Sequence, residues 1–384
     1  MAYCSRRAVV PEADVTYCSR RAAVPEVGVL RCAAADVQPC RSARGAPAGM
    51  EARELLQELC GSLRAVLARV REGEPGEGRE PFEPPRFWDA LGQAFKEASQ
   101  EATKLSLAFS RPPLPSAENC RKLSEDVQNA ILAVATVYYW LPKGQGTTLR
   151  KMVRDATTEV LEGMIQLTET ILISPLGSSS QEQLISTGGV WEACEQVSSL
   201  PRDNQAAVVS ALSAFLGVVK DAVEEMENAL VEERDPYSDI IEDEELGFRG
   251  NRDTYWSEAD RKLLGSCMGL MKASKACLKK VLSVVKTYGK ADSPEQIAQL
   301  DDLADIANEI SPSVDELALS MYPPMNHLAV RLNAAKLASV LKKVLEITKT
   351  SHVCPPSEES WVQFLTGAVD HNMDKIKNFT QGEL

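Results

Sequence analysis

From Met50 onward, apolar residues recur at intervals of three and four along nearly the whole chain, the spacing that gathers them on one helix face. In EARELLQELCGSLRAVLARV, the residues Leu56, Leu59, Leu63, Val66 and Val70 form one seam. The stretch EGEPGEGREPFEPP then breaks the pattern with Gly and Pro. A second stripe runs through Phe87, Leu91, Phe95, Ala98, Ala102 and Leu105, and RPPLP at Arg111 to Pro115 ends it. A third helix is predicted from about Ser116 to Trp140, stopped by LPKGQG, and a fourth from Thr148 to about Ile173, stopped by SPLGSSS. A fifth helix is predicted around Trp191, with a weaker signal because Gly188 and Gly189 interrupt it. Asp203 is placed to cap a sixth helix, whose stripe is Val208, Leu212, Phe215, Val219, Val223, Met226 and Leu230.

The second half carries clearer start signals. SEAD at Ser257 opens a long helix with Leu264, Cys267, Met271, Ser274, Leu278, Val281 and Val285 inward. SPEQ at Ser293 combines a capping hydroxyl, Pro at the first helical position and Gln two residues later. SVDE repeats that logic with Ser313 and Glu316. YPP precedes a helix from about Met325 to Lys349 with Val330, Ala334, Leu337, Leu341 and Val344 inward, and SEES at Ser357 begins the last one. No stretch alternates with period two between hairpin turns. The fold class is all-α: two packed antiparallel helical bundles, about ten helices, joined by an acidic linker. The boundaries read from the pattern are an N-terminal bundle at 50–233, the linker at 234–253 and a C-terminal bundle at 254–384.

Residues 1–49 read differently. They hold a 14-residue direct repeat, YCSRRAVVPEADVT followed by YCSRRAAVPEVGVL, with no helical stripe in either copy. The Arg pairs suggest a targeting peptide, but Glu12, Asp14 and Glu26 are interspersed among them. Two copies are too few for a solenoid, so a disordered N-terminal extension is expected.

Charge narrows the choice of partner. The net charge is −13, which argues against a nucleic-acid backbone as ligand and favours basic protein surfaces. Glu224 to Glu245 holds 11 acids against one Arg, a local −10. Carboxylates so crowded repel each other, which fits a hydrated tether between two halves. The same charge makes Asp239, Glu242, Asp243, Glu244 and Glu245 the candidate docking segment for a basic partner, with Tyr237 and Ser238 as candidate phosphorylation positions. Opposite in sign are two Lys stripes, Lys272, Lys275, Lys279 and Lys286, then Lys342, Lys343 and Lys349, which are solvated faces or attract the acidic segment.

Candidate chemistry is sparse. The ten Cys form no C-x-x-C, and His occurs only at 327, 352 and 371, so no zinc-site spacing exists. Cys194, Cys267 and Cys277 fall in helical patterns and read as packed thiols of a reducing compartment. No apolar run is expected to span a membrane. LDDLADIANEI spaces Asp301, Asp302 and Asp305 as D-D-x-x-D, the order with which helical isoprenoid synthases hold magnesium. No second such motif faces it, and the stripe Leu300, Leu303, Ile306 and Ile310 is expected to leave these acids on a solvated face. KGQGTTLRK lacks the G-K-[ST] of a phosphate loop and follows a helix, so a turn and helix cap are expected there. RPPLP suits an SH3 or WW domain, or simply breaks a helix. His327 has no Ser or Cys at triad spacing. No catalytic residue, metal site or cofactor is expected.

The longest distinctive blocks are ISPSVDELALSMYPPMNHLAVRLNAAKLASVLKKVLEITKTSHV, VYYWLPKGQGTTLRKMVRDAT, RDNQAAVVSAL, DPYS, KASKACLKK and DLADIANEI. In these the chain resembles the cyclin-D1-binding protein 1 family, also described as Grap- and cyclin-D-interacting proteins, over roughly Met50 to Leu384. The resemblance implies a non-enzymatic helical protein of cytoplasm and nucleus that binds D-type cyclin. It also implies opposition to cyclin-D-dependent kinase, less phosphorylated retinoblastoma protein, and sequestration of helix–loop–helix factors. An SH3-containing adaptor is a further expected partner; direct nucleic-acid and membrane binding are not expected. Two other classes remain open: a vinculin-like signalling or cytoskeletal adaptor, and a magnesium-dependent all-α isoprenoid-type enzyme.

Overall fold

The computed structural model describes residues 48–73, 82–178, 180–232 and 256–381. The extension preceding them and the acidic candidates Tyr237, Ser238, Asp239, Glu242, Asp243, Glu244 and Glu245 lie outside the described residues. Among the described residues there are eleven α-helices and no strand. The first five are α1 (Ala48–Glu72), α2 (Pro84–Ala108), α3 (Ala117–Tyr139), α4 (Thr147–Ile173) and α5 (Gln181–Glu195). The others are α6 (Asn204–Glu232), α7 (Glu258–Tyr288), α8 (Pro294–Asn308), α9 (Ile310–Ser320), α10 (His327–Thr350) and α11 (Glu359–Thr380).

The helices close into two rings, each around its own apolar core. In the first, α1 packs on α3 and α4, α2 on α3 and α5, and α4 on α5, so the order around the ring is α1, α3, α2, α5, α4. Its core holds the predicted α2 stripe entire, with Leu56, Leu63, Val134, Val153, Leu161 and Met164. In the second ring α7 sits between α6 and α11, α11 meets α10, and α8 with α9 bridges α10 back to α6. The predicted inward faces of α7 and α10 are fully buried there. Aliphatic stripes of this width, removed from water at roughly 25 cal/mol per Å², are what hold rings of helices whose outer faces are charged. Although α6 precedes the acidic segment, Val208, Leu212, Val219, Val223 and Met226 lie in the second core and only Ala207 in the first. Measured by packing, the first core ends with α5.

Local signals explain most boundaries. Ser116, Ser257 and Ser293 accept from the backbone N–H three residues on, and Ser257 with Asp260 makes a full capping box. Asp203 accepts from Ala206 N–H at 2.8 Å and starts α6. The weakly signalled fifth helix is present as α5, held to α2 by bonds from Gln183 and Thr187 to Ser106 and from Trp191 to Thr103. One expectation needs correction. Ser313 is no cap: Pro312, which lacks an N–H, sits in the first turn of α9, so the helix starts at Ile310 and buries Ser313 inside it. Glu316 reaches Lys336 of α10 instead, at 2.7 Å.

A second correction concerns hydropathy. Asn204–Val231 of α6 is, by length and composition, long and apolar enough to cross a membrane, because up to Val219 Ser and Gly rather than charges separate its apolar residues. Its stripe is committed to the second core.

Candidate interaction surface

The two rings meet at the start of α4, where the glycine-containing turn KGQG was expected to end in a helix cap. Lys143–Gln145 forms a 3-10 turn, and Gly146 follows at φ +111, a conformation reserved for glycine. Gly146 has no side chain with which to cap α4, so the first N–H groups of that helix need acceptors from elsewhere. Asp301 of α8 supplies them: Thr147 N–H donates to its Oδ2 at 2.7 Å, and Thr148 N–H to Oδ1 at 3.0 Å. The Thr148 hydroxyl and the Asn204 amide also donate to that Oδ1, at 2.7 and 2.9 Å. Asn204, at the first position of α6, accepts from Leu149 N–H at 3.1 Å. The anion expected at a helix N-terminus is therefore the protein's own carboxylate.

This overturns the placing of Asp301 on a solvated face, since it is buried at 8% exposure. Asp302 and Asp305 do face solvent. Partial desolvation raises the Asp305 carboxyl, the neighbouring Asp301 and Asp302 charges raise it further, and Lys151 of α4 opposes them. The D-D-x-x-D order is split: one acid is spent on hydrogen bonds to α4 while the other two stay outside. Among the described residues no three His, Cys, Asp or Glu gather in a group able to hold a metal ion.

The histidines are better connected than their spacing suggested. His327, at the start of α10, bonds Asp260 in the first turn of α7. His352 takes Lys290 N–H on Nε2 at 3.1 Å and meets Gln299 at 2.7 Å. Burial raises the described thiols, and Cys194, Cys267 and Cys277 are pushed up to about 12, which leaves them unreactive as nucleophiles. Burial alone would raise Asp260, but hydrogen bonds from His327 and from Ser257 outweigh it and hold the carboxyl below its usual value. Stability from a depressed carboxyl is present above the unfolded value near ~3.9 and is lost as pH falls through the lower folded value. We expect the parent to lose stability faster than Asp260→Asn between about pH 5 and pH 2. Parallel acid titrations of melting temperature measure this, and parallel curves would refute it.

The Lys stripes are partly satisfied by neighbouring helices. Lys272 reaches Glu227 of α6 at 2.8 Å, Lys342 reaches Asp370 of α11, and Lys349 lies 3.7 Å from Glu359. RPPLP lies against the first ring, with Leu114 packed on that core and Pro112 beside Gly177. Two shallow grooves lie on the surface of the described residues. One of about 640 Å³ runs between α1 and α4 over Leu67 and Ile165, crossed by the pairs Arg64–Glu169 and Arg71–Glu162. The other, about 330 Å³, lies between Lys262, His327 and Phe379. Charged side chains line both, Arg64, Arg71, Glu162 and Glu169 the first and Glu258, Lys262 and His327 the second.

The family model described as "Grap2 and cyclin-D-interacting, N-terminal" matches residues 90–232, and its C-terminal counterpart matches residues 241–346. A Xenopus laevis protein named cyclin-D1-binding protein 1 homolog is 63% identical over 331 residues, covering 86% of this chain and 100% of its own length. The Danio rerio homolog is 52% identical over 85% of this chain and 96% of its own. The Homo sapiens protein named cyclin-D1-binding protein 1 is 51% identical over 86% of this chain and 94% of its own.

Proposed function

Because the chain belongs to the Grap2 and cyclin-D-interacting family, we propose that it binds a D-type cyclin through helical surface and thereby restrains the cell cycle. The observation that carries this is the extent of the match: relatives named for cyclin D1 binding align over 86% of the chain, across both rings. The family is named for binding, not for a reaction. In this reading the protein works in cytoplasm and nucleus without turning over a substrate. It withholds cyclin from its kinase, so that retinoblastoma protein stays less phosphorylated and S-phase transcription falls. Sequestration of helix–loop–helix factors belongs to the same proposal.

Capture of purified cyclin D1 by the purified chain tests the reading, with circular dichroism confirming that the chain is folded. Capture is expected; a folded chain that retains no cyclin D1 overturns it. The acidic run enters on charge alone. Replacing Glu242, Asp243, Glu244 and Glu245 by their amides should slow association about three- to tenfold at low salt and flatten its salt dependence. Unchanged kinetics would reduce the run to a spacer.

A further inference from the structure

Helix α5 leaves an apolar stretch of its outer face uncovered, between polar residues at its two ends. Its inner face, Gln183, Ser186, Thr187, Val190, Ala193 and Cys194, packs between α2 and α4. Its outer face carries Leu184 at 62% and Ile185 at 65% exposure, and one turn later Gly188 and Gly189, where an added Cβ would meet nothing. Leu107 on the α2 flank and Ile173 at the end of α4 add 67% and 82% exposed side chains. Trp191, its indole N–H bonded to Thr103 at 2.9 Å, lies along the seam with α2. Exposed large apolar side chains that lie close together mark interaction sites more often than single ones do.

The rim supplies the sign of the partner. α5 carries Glu182, Glu192 and Glu195 and no Lys or Arg. Lys104, beside the Thr103 that holds Trp191, is taken by Glu101 at 2.6 Å. The two glycines leave a shallow bed in which a second helix backbone can approach closely, with Leu184 and Ile185 as the ridge beside it. We propose that the outer face of α5 docks a cationic amphipathic helix of a partner protein, its apolar side on Leu184 and Ile185 and its Lys or Arg residues on the glutamate rim. This goes beyond cyclin binding, because shape and charge define the site whichever protein presents the helix.

The test uses the full chain and a labelled Leu/Lys amphipathic peptide, with a scrambled peptide of the same composition as control, read by fluorescence anisotropy. The amphipathic peptide should bind about tenfold more tightly than the scrambled one. The paired substitution Gly188→Gln and Gly189→Gln fills the bed with side chains that meet no neighbour and favour helix, so the fold is kept. It should weaken binding about tenfold, as should Leu184→Gln with Ile185→Gln. Glu182→Gln with Glu192→Gln should flatten the salt dependence. Leu328→Gln with Leu332→Gln, on the exposed face of α10, should leave binding unchanged. Equal affinity for the scrambled peptide, or full binding by the folded glycine variant, overturns the proposal. A parent dimer in sedimentation that the glycine variant dissolves also overturns it, by giving the face to a second copy of the chain.

Discussion

Gly146→Ala is expected to destabilise the protein by on the order of 4 kcal/mol, with a fall in melting temperature on the order of 10 °C. Two costs combine. At φ +111 an L-residue is strained by about 1–3 kcal/mol whatever surrounds it. A Cβ there would also overlap the side-chain amide of Asn204, which is 1% exposed and has no room to retreat. Asn204 would have to release Leu149 N–H, losing a helix cap worth about 1 kcal/mol. Gly144, three residues from α4, is the control: an added Cβ meets nothing, and Gly144→Ala should change stability by less than about 1 kcal/mol. Thermal melts of the two variants beside the parent decide it. Equal melts would mean the turn rearranges freely and is no constraint on the junction.

The contrast between these two glycines shows where sequence reading stops. Helix existence and inward faces were legible because each rests on a periodic run: the α2, α7 and α10 stripes are buried residue for residue. Caps were legible where the capping residue adjoins its helix, as Ser116, Asp203, Ser257 and Ser293 do. Ser313 failed because Pro312, just before it, is itself tolerated in a helix's first turn, so α9 starts three residues earlier than Ser313, at Ile310. The ring to which α6 belongs was not readable, since a stripe declares that it is buried and not against what. Relations across long sequence separations were invisible altogether. Arg150 reads as one more basic residue, yet it is buried and bonds Leu141 O, Gly73 O and the Tyr138 hydroxyl, gathering three segments of the first ring. His327 seemed isolated because its partner Asp260 lies 67 residues away. At the junction the sequence misleads: Thr147 reads as the capping residue, and only the structure puts Gly146 in that place and so requires a distant acceptor. Likewise, the glycines that weakened α5 as a helix signal mark a face that solvent reaches, not a break in the chain.

Asp301→Ala should cost on the order of 3 kcal/mol and separate the unfolding of the two rings. The carboxylate accepts four hydrogen bonds, two of them from backbone N–H groups at the positive end of a 27-residue helix. Thr147 is exposed, so water replaces part of what its N–H loses. The Asn204 amide, enclosed by Leu149, Ile297 and Asp301, has no such relief. Removing the acid therefore leaves the buried Asn204 amide with only its 3.5 Å contact to Ile297 O, and an under-satisfied buried donor is the more damaging half of any hydrogen-bond deletion. It does so at a junction where α8 and α6 touch α4 and few other elements cross between the rings. Two cores joined through so small a polar contact unfold together only while that contact holds. Calorimetry should show one transition for the parent and two for Asp301→Ala, with Asp301→Asn between them because an amide keeps one acceptor and loses the charge. Asp302→Asn, on the exposed side of the same helix turn, should stay within about 0.5 kcal/mol of the parent. If Asp301→Asn and Asp302→Asn melt alike, the carboxylate contributes nothing at the junction, and the coupling of the two rings must be carried by the apolar contacts between α4 and α6.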